Sequence, residues 1–237
     1  MNSVNNTIYD LDKNIEQGYK HLKYIQKSIN SRNSIYAKYS FDISSHQEIQ
    51  ILSEIESYIT IIYIDLCIIY KHILLSSNEF DSIYFAKQLS LTIYEFLEPF
   101  DNIINPLLRK SFTDNELKSL DITRKWFSKV KNKLKLIRKS TAHIELDSIK
   151  YYNNMIIVFD LPIEELFSNS FKLIEELRNF YRKTIESYYN NNKINLIEKI
   201  DNLIPILTKE NKQNDILLKE LKKYRNYLMT YDTYKTK

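Results

Sequence analysis

Residues Tyr58 to Leu75, YITIIYIDLCIIYKHILL, form the most apolar run of the chain, and three structures compete for it. β-Branched and aromatic side chains favour a strand, but the run is 18 residues long, and strands of roughly 5–6 residues are the norm. A membrane span would have to carry Asp65, Lys71 and His72, and a charge near the middle of a span is costly. A buried core helix meets both objections. Ser44 and Ser45 stand just ahead of His46, Gln47 and Glu48, and the Ser45–Glu48 spacing is that of a capping box. The run therefore predicts one helix from about residue 46 to Ser76.

Helical periodicity extends outward on both sides. Towards the N-terminus, Ile8, Leu11, Ile15, Leu22, Ile25, Ile29 and Tyr36 recur near helical spacing and predict a long helix over 7–38. Towards the C-terminus, a third helix spans about 79–97 and stops at Pro99. Pro106 and the following LLRKSF read as a connector. Thr113 and Glu116 make a second capping box, which opens a fourth helix. Residues 147–162 are ambiguous: MIIVF (155–159) is either a short strand or a helical turn. Pro162, followed by Glu164 and Glu165, starts a helix that runs to about Tyr189. Asn190 to Asn192 read as a break before two further helices, about 194–208, interrupted by Pro205, and about 212–229. The expectation is an all-α, up-and-down helical bundle over 1–190 with a long N-terminal helix, and a C-terminal helical extension over 191–237.

Composition narrows the function. One Gly in 237 residues argues against Gly-rich phosphate loops and dinucleotide fingerprints. The single Cys67 excludes a disulfide framework and a cysteine zinc site. His21, His46, His72 and His143 show no metal spacing, and no cofactor is expected. The start, MNSVNNTIYDLDKN, lacks the basic and apolar regions of a signal peptide. A soluble, cytoplasmic protein without membrane attachment is the reading.

Charge is concentrated in one place. From Lys118 to Lys139 there are nine basic residues and one acid, Asp121, in a chain whose net charge is +4. At ~100° per residue, Arg124, Lys131, Lys135 and Arg138 fall within about 60° of one another. Phe127, Val130, Leu134, Ile137 and Thr141 form the adjacent apolar face. Such a helix packs by one side and presents a cationic ridge by the next. That ridge is either a solvated face or a phosphate track for a polyanion.

The ridge ends in Arg138-Lys-Ser-Thr-Ala-His143, with Glu145 and Asp147 beyond. The segment KNKLKLIRKSTAHIELD (131–147) resembles the Arg–x4–His motif of the HEPN superfamily of ribonucleases. IYFAKQLSLTIYEFLEP (83–99) resembles a helix of its abortive-infection members. The resemblance covers about 45–190, and departs at Lys139, where the family often has Asn, Asp or His. It implies a metal-independent endoribonuclease, a toxin or antiviral defence effector, with a composite site at a homodimer interface. It also implies control by an antitoxin or a defence-system partner protein.

The residue types suit that chemistry independently. RNA carries its own nucleophile, the 2′-OH; histidine exchanges protons near neutrality; arginine offers a planar donor fork to a phosphoryl group. The expected catalytic residues are Arg138 and His143. Arg124, Lys131, Lys135 and Lys139 are expected to bind RNA, and Ser140, Thr141, Glu145 and Asp147 are candidate supporting residues. On an ideal helix Arg138 and His143 splay by about 140°, which two motifs apposed across a two-fold axis would resolve. The alternatives are a catalytically inactive RNA- or protein-binding module, and an interaction protein with a solvated ridge. Asp65 is expected to pair with a Tyr or Lys of the bundle.

Overall fold

The computed structural model describes residues 2–39, 43–142, 156–209 and 215–230. It is an all-α helical bundle, and among the described residues there is no strand. Helix α1 spans Asn2–Tyr39, α2 Ile43–Leu75 and α3 Glu79–Pro99; a π-helical turn, Phe100–Ile104, leads directly into α4, Asn105–Ser111. Helix α5 spans Lys118–Ala142, α6 Ile163–Lys209 and α7 Asp215–Thr230.

The run that decided the fold is helical, and it is the one described stretch, as Gln50–Leu75, long and apolar enough to cross a membrane. Ile59, Thr60, Ile62, Tyr63, Ile64, Leu66 and Cys67 within it are buried against protein. Helix α2 begins at Ile43, so Ser45 lies inside it and is not the residue that starts it. The α-helical bonding of the third helix gives way at Pro99, but the chain does not leave the helix there. Proline has no N–H to offer the carbonyl of Glu95; the Tyr58 hydroxyl donates to that carbonyl instead, at 3.4 Å. The chain continues as a widened π turn and then α4, so the segment read as a connector around Pro106 is helical. Pro106 sits in the first turn of α4, where a missing N–H costs nothing.

The Thr113–Glu116 capping box forms, but on a turn over 114–117 that precedes the start of α5 at Lys118. Glu116 Oε2 accepts from Thr113 N (2.8 Å) and Oγ1 (2.9 Å), and Glu116 N donates to Thr113 Oγ1 at 3.4 Å. Residues 156–159 form a helical turn, which settles the strand alternative for the described part of 155–159. The break at Asn190–Asn192 does not occur. Helix α6 runs unbroken through these residues and through Pro205. Each Asn costs at most ~0.7 kcal/mol in a helix, and the apolar period of Ile185, Leu196, Ile197, Ile200, Ile204 and Leu207 continues across them.

Two compact units share these helices. The first comprises Met1–Leu22 and Ile55–Phe180. Its core contains Leu66, Leu89, Ile93, Phe100, Phe127, Leu134, Ile137 and Leu177, and α3 packs along α5. The second comprises Lys23–Glu54 and Tyr181–Lys237, with a core of Ile200, Leu207 and Leu221. Residues 191–237 thus lie in a unit that also takes in Lys23–Glu54.

Candidate polyanion-binding face

Helix α5 is positioned by its apolar stripe. Leu120, Thr123, Phe127, Leu134 and Ile137 are buried in the first unit. On one flank Trp126 Nε1 donates to Glu165 at 2.7 Å, and Lys133 Nζ to the carbonyl of Asp160 at 3.4 Å. On the other flank lies the ridge, and it is not free of counter-charge. Asp101, on the π turn, accepts from Arg124 Nε at 2.8 Å and from Lys131 Nζ at 3.5 Å. Arg138 Nε donates to the Glu95 carboxylate, and its guanidinium carbon lies 5.5 Å from the centroid of the Tyr94 ring. The hydrogen bond from Arg138 to Glu95 raises the arginine's pKa above its ordinary value, with the charges of Glu95, Tyr94 and Glu98 adding to it.

Arg124, Lys131 and Arg138 are spaced by seven residues and meet the acids of α3 and the π turn. The acids Glu95, Glu98 and Asp101 recur every three residues, a pattern visible in the sequence. Lys135 and Lys139 remain exposed, and neither is ion-paired to a described residue. The same is true of Lys118, Lys125 and Lys129. At ~100° per residue, Lys118, Lys125, Lys129 and Lys139 fall within about 80°. The uncompensated charge of α5 therefore points further outward than the ridge read from sequence.

Ser140 and Thr141 belong to the last turn of α5, without described side chains; His143, Glu145 and Asp147 lie outside the described residues. Of the proposed catalytic pair, then, Arg138 is placed, on the exposed end of α5 with 45% of its side chain accessible. The other histidines with described side chains have structural partners. His21 Nε2 is 2.9 Å from Glu56 Oε1, and His72 stacks on Phe85 with ring centroids 4.8 Å apart.

Asp65 does not find the expected Tyr or Lys partner among the described residues, and burial alone raises its pKa. Burial pushes the Cys67 thiol up to about 12, which removes it as a nucleophile at neutral pH. No group of three His, Cys, Asp or Glu side chains among the described residues is placed to hold a metal.

A second cationic feature was not visible in the sequence. Arg109, on α4, donates from Nη1 to Asp114 at 2.7 Å and from Nη2 to Asp121 at 2.5 Å. It faces α5 across a cavity of about 490 Å³, which Arg124 and Lys131 also line. Only packing of α4 beside α5 brings these side chains together. No family model, curated protein or solved structure matches the chain.

Proposed function

We propose that the protein is a metal-independent endoribonuclease of the toxin or abortive-infection kind, working in the cytoplasm as a homodimer under the control of an antitoxin or defence-system partner. The observation that carries RNA as substrate is the outer face of α5, where Lys118, Lys125, Lys129, Lys135 and Lys139 are exposed without an ion pair to any described residue. Lys118 to Lys139 spans about 32 Å at 1.5 Å per residue, long enough to meet several phosphates. Glu95 and Asp101 do not exclude the ridge from the same role. Exposed ion pairs are worth roughly 1 kcal/mol or less, so a polyanion offering several phosphates at once can exchange with them.

In the reaction, His143 takes the 2′-OH proton and the 2′ oxygen attacks the adjacent phosphorus. The bond from phosphorus to the 5′ oxygen breaks, and an acid, in the dimer a second histidine, returns a proton to the leaving oxygen. The products end in a 2′,3′-cyclic phosphate and a 5′-hydroxyl. Arg138 meets the charge that builds on the phosphoryl oxygens. The supports for this step are the resemblance of 131–147 and the exposure of Arg138.

A catalytically idle RNA-binding module is the second reading, and the engagement of Arg138 with Glu95 and Tyr94 favours it. Gel analysis of RNA incubated with wild type and His143→Ala in EDTA separates the two. An endoribonuclease cleaves as wild type and loses cleavage, but not most of its affinity, in the variant. An idle module binds RNA in both forms and cuts it in neither, and cleavage that survives His143→Ala would refute the assigned chemistry.

A further inference from the structure

The cavity between the π turn, α4 and α5 is a site of its own. Four cations, Arg109, Arg124, Lys125 and Lys131, line it together with two carboxylates, Asp101 and Asp121. The lining side chains sum to +2, and Asp114, which accepts from Arg109 at 2.7 Å, brings the cluster to +1. Carboxylates orient the two guanidinium groups, Arg124 through Asp101 and Arg109 through Asp114 and Asp121. Leu97 and Phe127, both buried, also line the cavity, so its inner wall is the core. Ser128 lines it as well, with its hydroxyl donating to the carbonyl of Lys125 at 2.7 Å.

A concavity closed by the core suits a chain end better than a chain middle. An internal phosphodiester carries one negative charge and has polymer on both sides, so it can lie along the outer face of α5 but not turn inward. A terminal phosphate monoester carries up to two charges near neutrality, with a second pKa of about 6, and three oxygens open to donors. That dianion suits a cluster that stays cationic, and it can displace Asp101, Asp114 and Asp121 from the planar forks of two arginines. At about 490 Å³ the cavity falls within the ~300–1,000 Å³ typical of small-ligand sites, large enough for a phosphoryl group with its first nucleoside.

We propose that this cavity binds the terminal 5′-monophosphate of an RNA strand whose following nucleotides run along α5 towards Arg138. The proposal rests on the RNA reading above and adds to it a preference for one kind of end. Arg124 and Arg138 are 14 residues apart, about 21 Å along the helix, which sets the distance from the anchored end to the scissile position. The reaction itself leaves a 5′-hydroxyl on the downstream product. That product lacks the dianion and is not recaptured by the cavity.

The test uses the full chain and two fluorescent oligoribonucleotides of one sequence, with a 5′-phosphate or a 5′-hydroxyl and the label at the 3′ end, together with inorganic phosphate and a nucleoside monophosphate as competitors. The 5′-phosphorylated strand is expected to bind about tenfold more tightly at equal salt, the gain of one charge-assisted contact set. Arg109→Gln should erase that difference. Lys125→Gln, an exposed change that leaves the Arg109 contacts intact, should reduce it, whereas Lys129→Gln should weaken both strands equally. Equal affinity for the two strands in wild type overturns the proposal while leaving RNA binding intact. Binding of the free monophosphates without RNA binding keeps the cavity as a small-anion site, but refutes its assignment to an RNA end and the RNA reading with it. Absence of all binding refutes both.

Discussion

Gly18 is the one glycine of the chain, and it is buried where α1 lies against α2. A Cβ at this position would approach Ile64 Cγ1 to 2.6 Å, well inside contact distance. Alanine would gain about 1 kcal/mol of helix propensity, but forcing a methyl group into a packed contact typically costs ~1–3 kcal/mol. Gly18→Ala is expected to lower stability by about 1 kcal/mol net. Urea denaturation of Gly18→Ala, Ile64→Ala and the double variant should show less than additive loss, since Ile64→Ala makes room for the new methyl. Asp65 carries a different strain. Burial raises its pKa above the ordinary 3.8, so as pH rises from there the unfolded chain ionises first and stability falls until the folded carboxyl has ionised too. Asp65→Asn should remove that slope and be the more stable protein at neutral pH. Denaturation midpoints of both proteins from pH 4 to 8 check this, and parallel curves would refute it.

At the scale of elements, α3 and α5 decide how the cations are used. Glu95 and Asp101 are held opposite Arg138, Arg124 and Lys131 because Leu89, Ile93, Phe96 and Leu97 pack α3 into the same core as Phe127 and Leu134. An approaching phosphate must compete with these carboxylates. Glu95→Gln removes one competitor and is expected to tighten RNA binding about two- to fivefold, the range of one exposed ion pair. Anisotropy titration at fixed salt measures it. The outer lysines meet no such competition. Lys125→Gln with Lys129→Gln should lower the slope of log affinity against log salt by about 1.4, or ~0.7 for each phosphate contact to a single strand. An unchanged slope would make that face a solvated surface. Charge spacing in the sequence marks Arg124, Lys131, Lys135 and Arg138 as one ridge, yet three of the four meet acids of α3 and the π turn.

At the scale of the whole molecule, the proposed chemistry needs two copies, because on a regular helix one motif directs Arg138 and His143 to different sides. A dimer-disrupting substitution that leaves helicity intact should abolish cleavage while RNA affinity falls only modestly. Equal turnover by a monomer verified in light scattering would defeat the composite site. The sequence alone was enough for the class of fold and for most helix positions. Apolar side chains at helical spacing, one glycine, and a Thr113–Glu116 pair able to satisfy its own backbone are local features, and local features act wherever the chain goes. Local rules failed at Asn190–Asn192, where a modest propensity cost is outweighed by the apolar face that continues past it, and around Pro106, which occupies a first helical turn that tolerates proline. The partners of the charges were decided only by tertiary structure. Glu95 and Arg138 are 43 residues apart, and Arg109 and Asp121 belong to different helices. Nothing in either neighbourhood encodes the meeting, which follows from how α3, the π turn, α4 and α5 bury their apolar faces together.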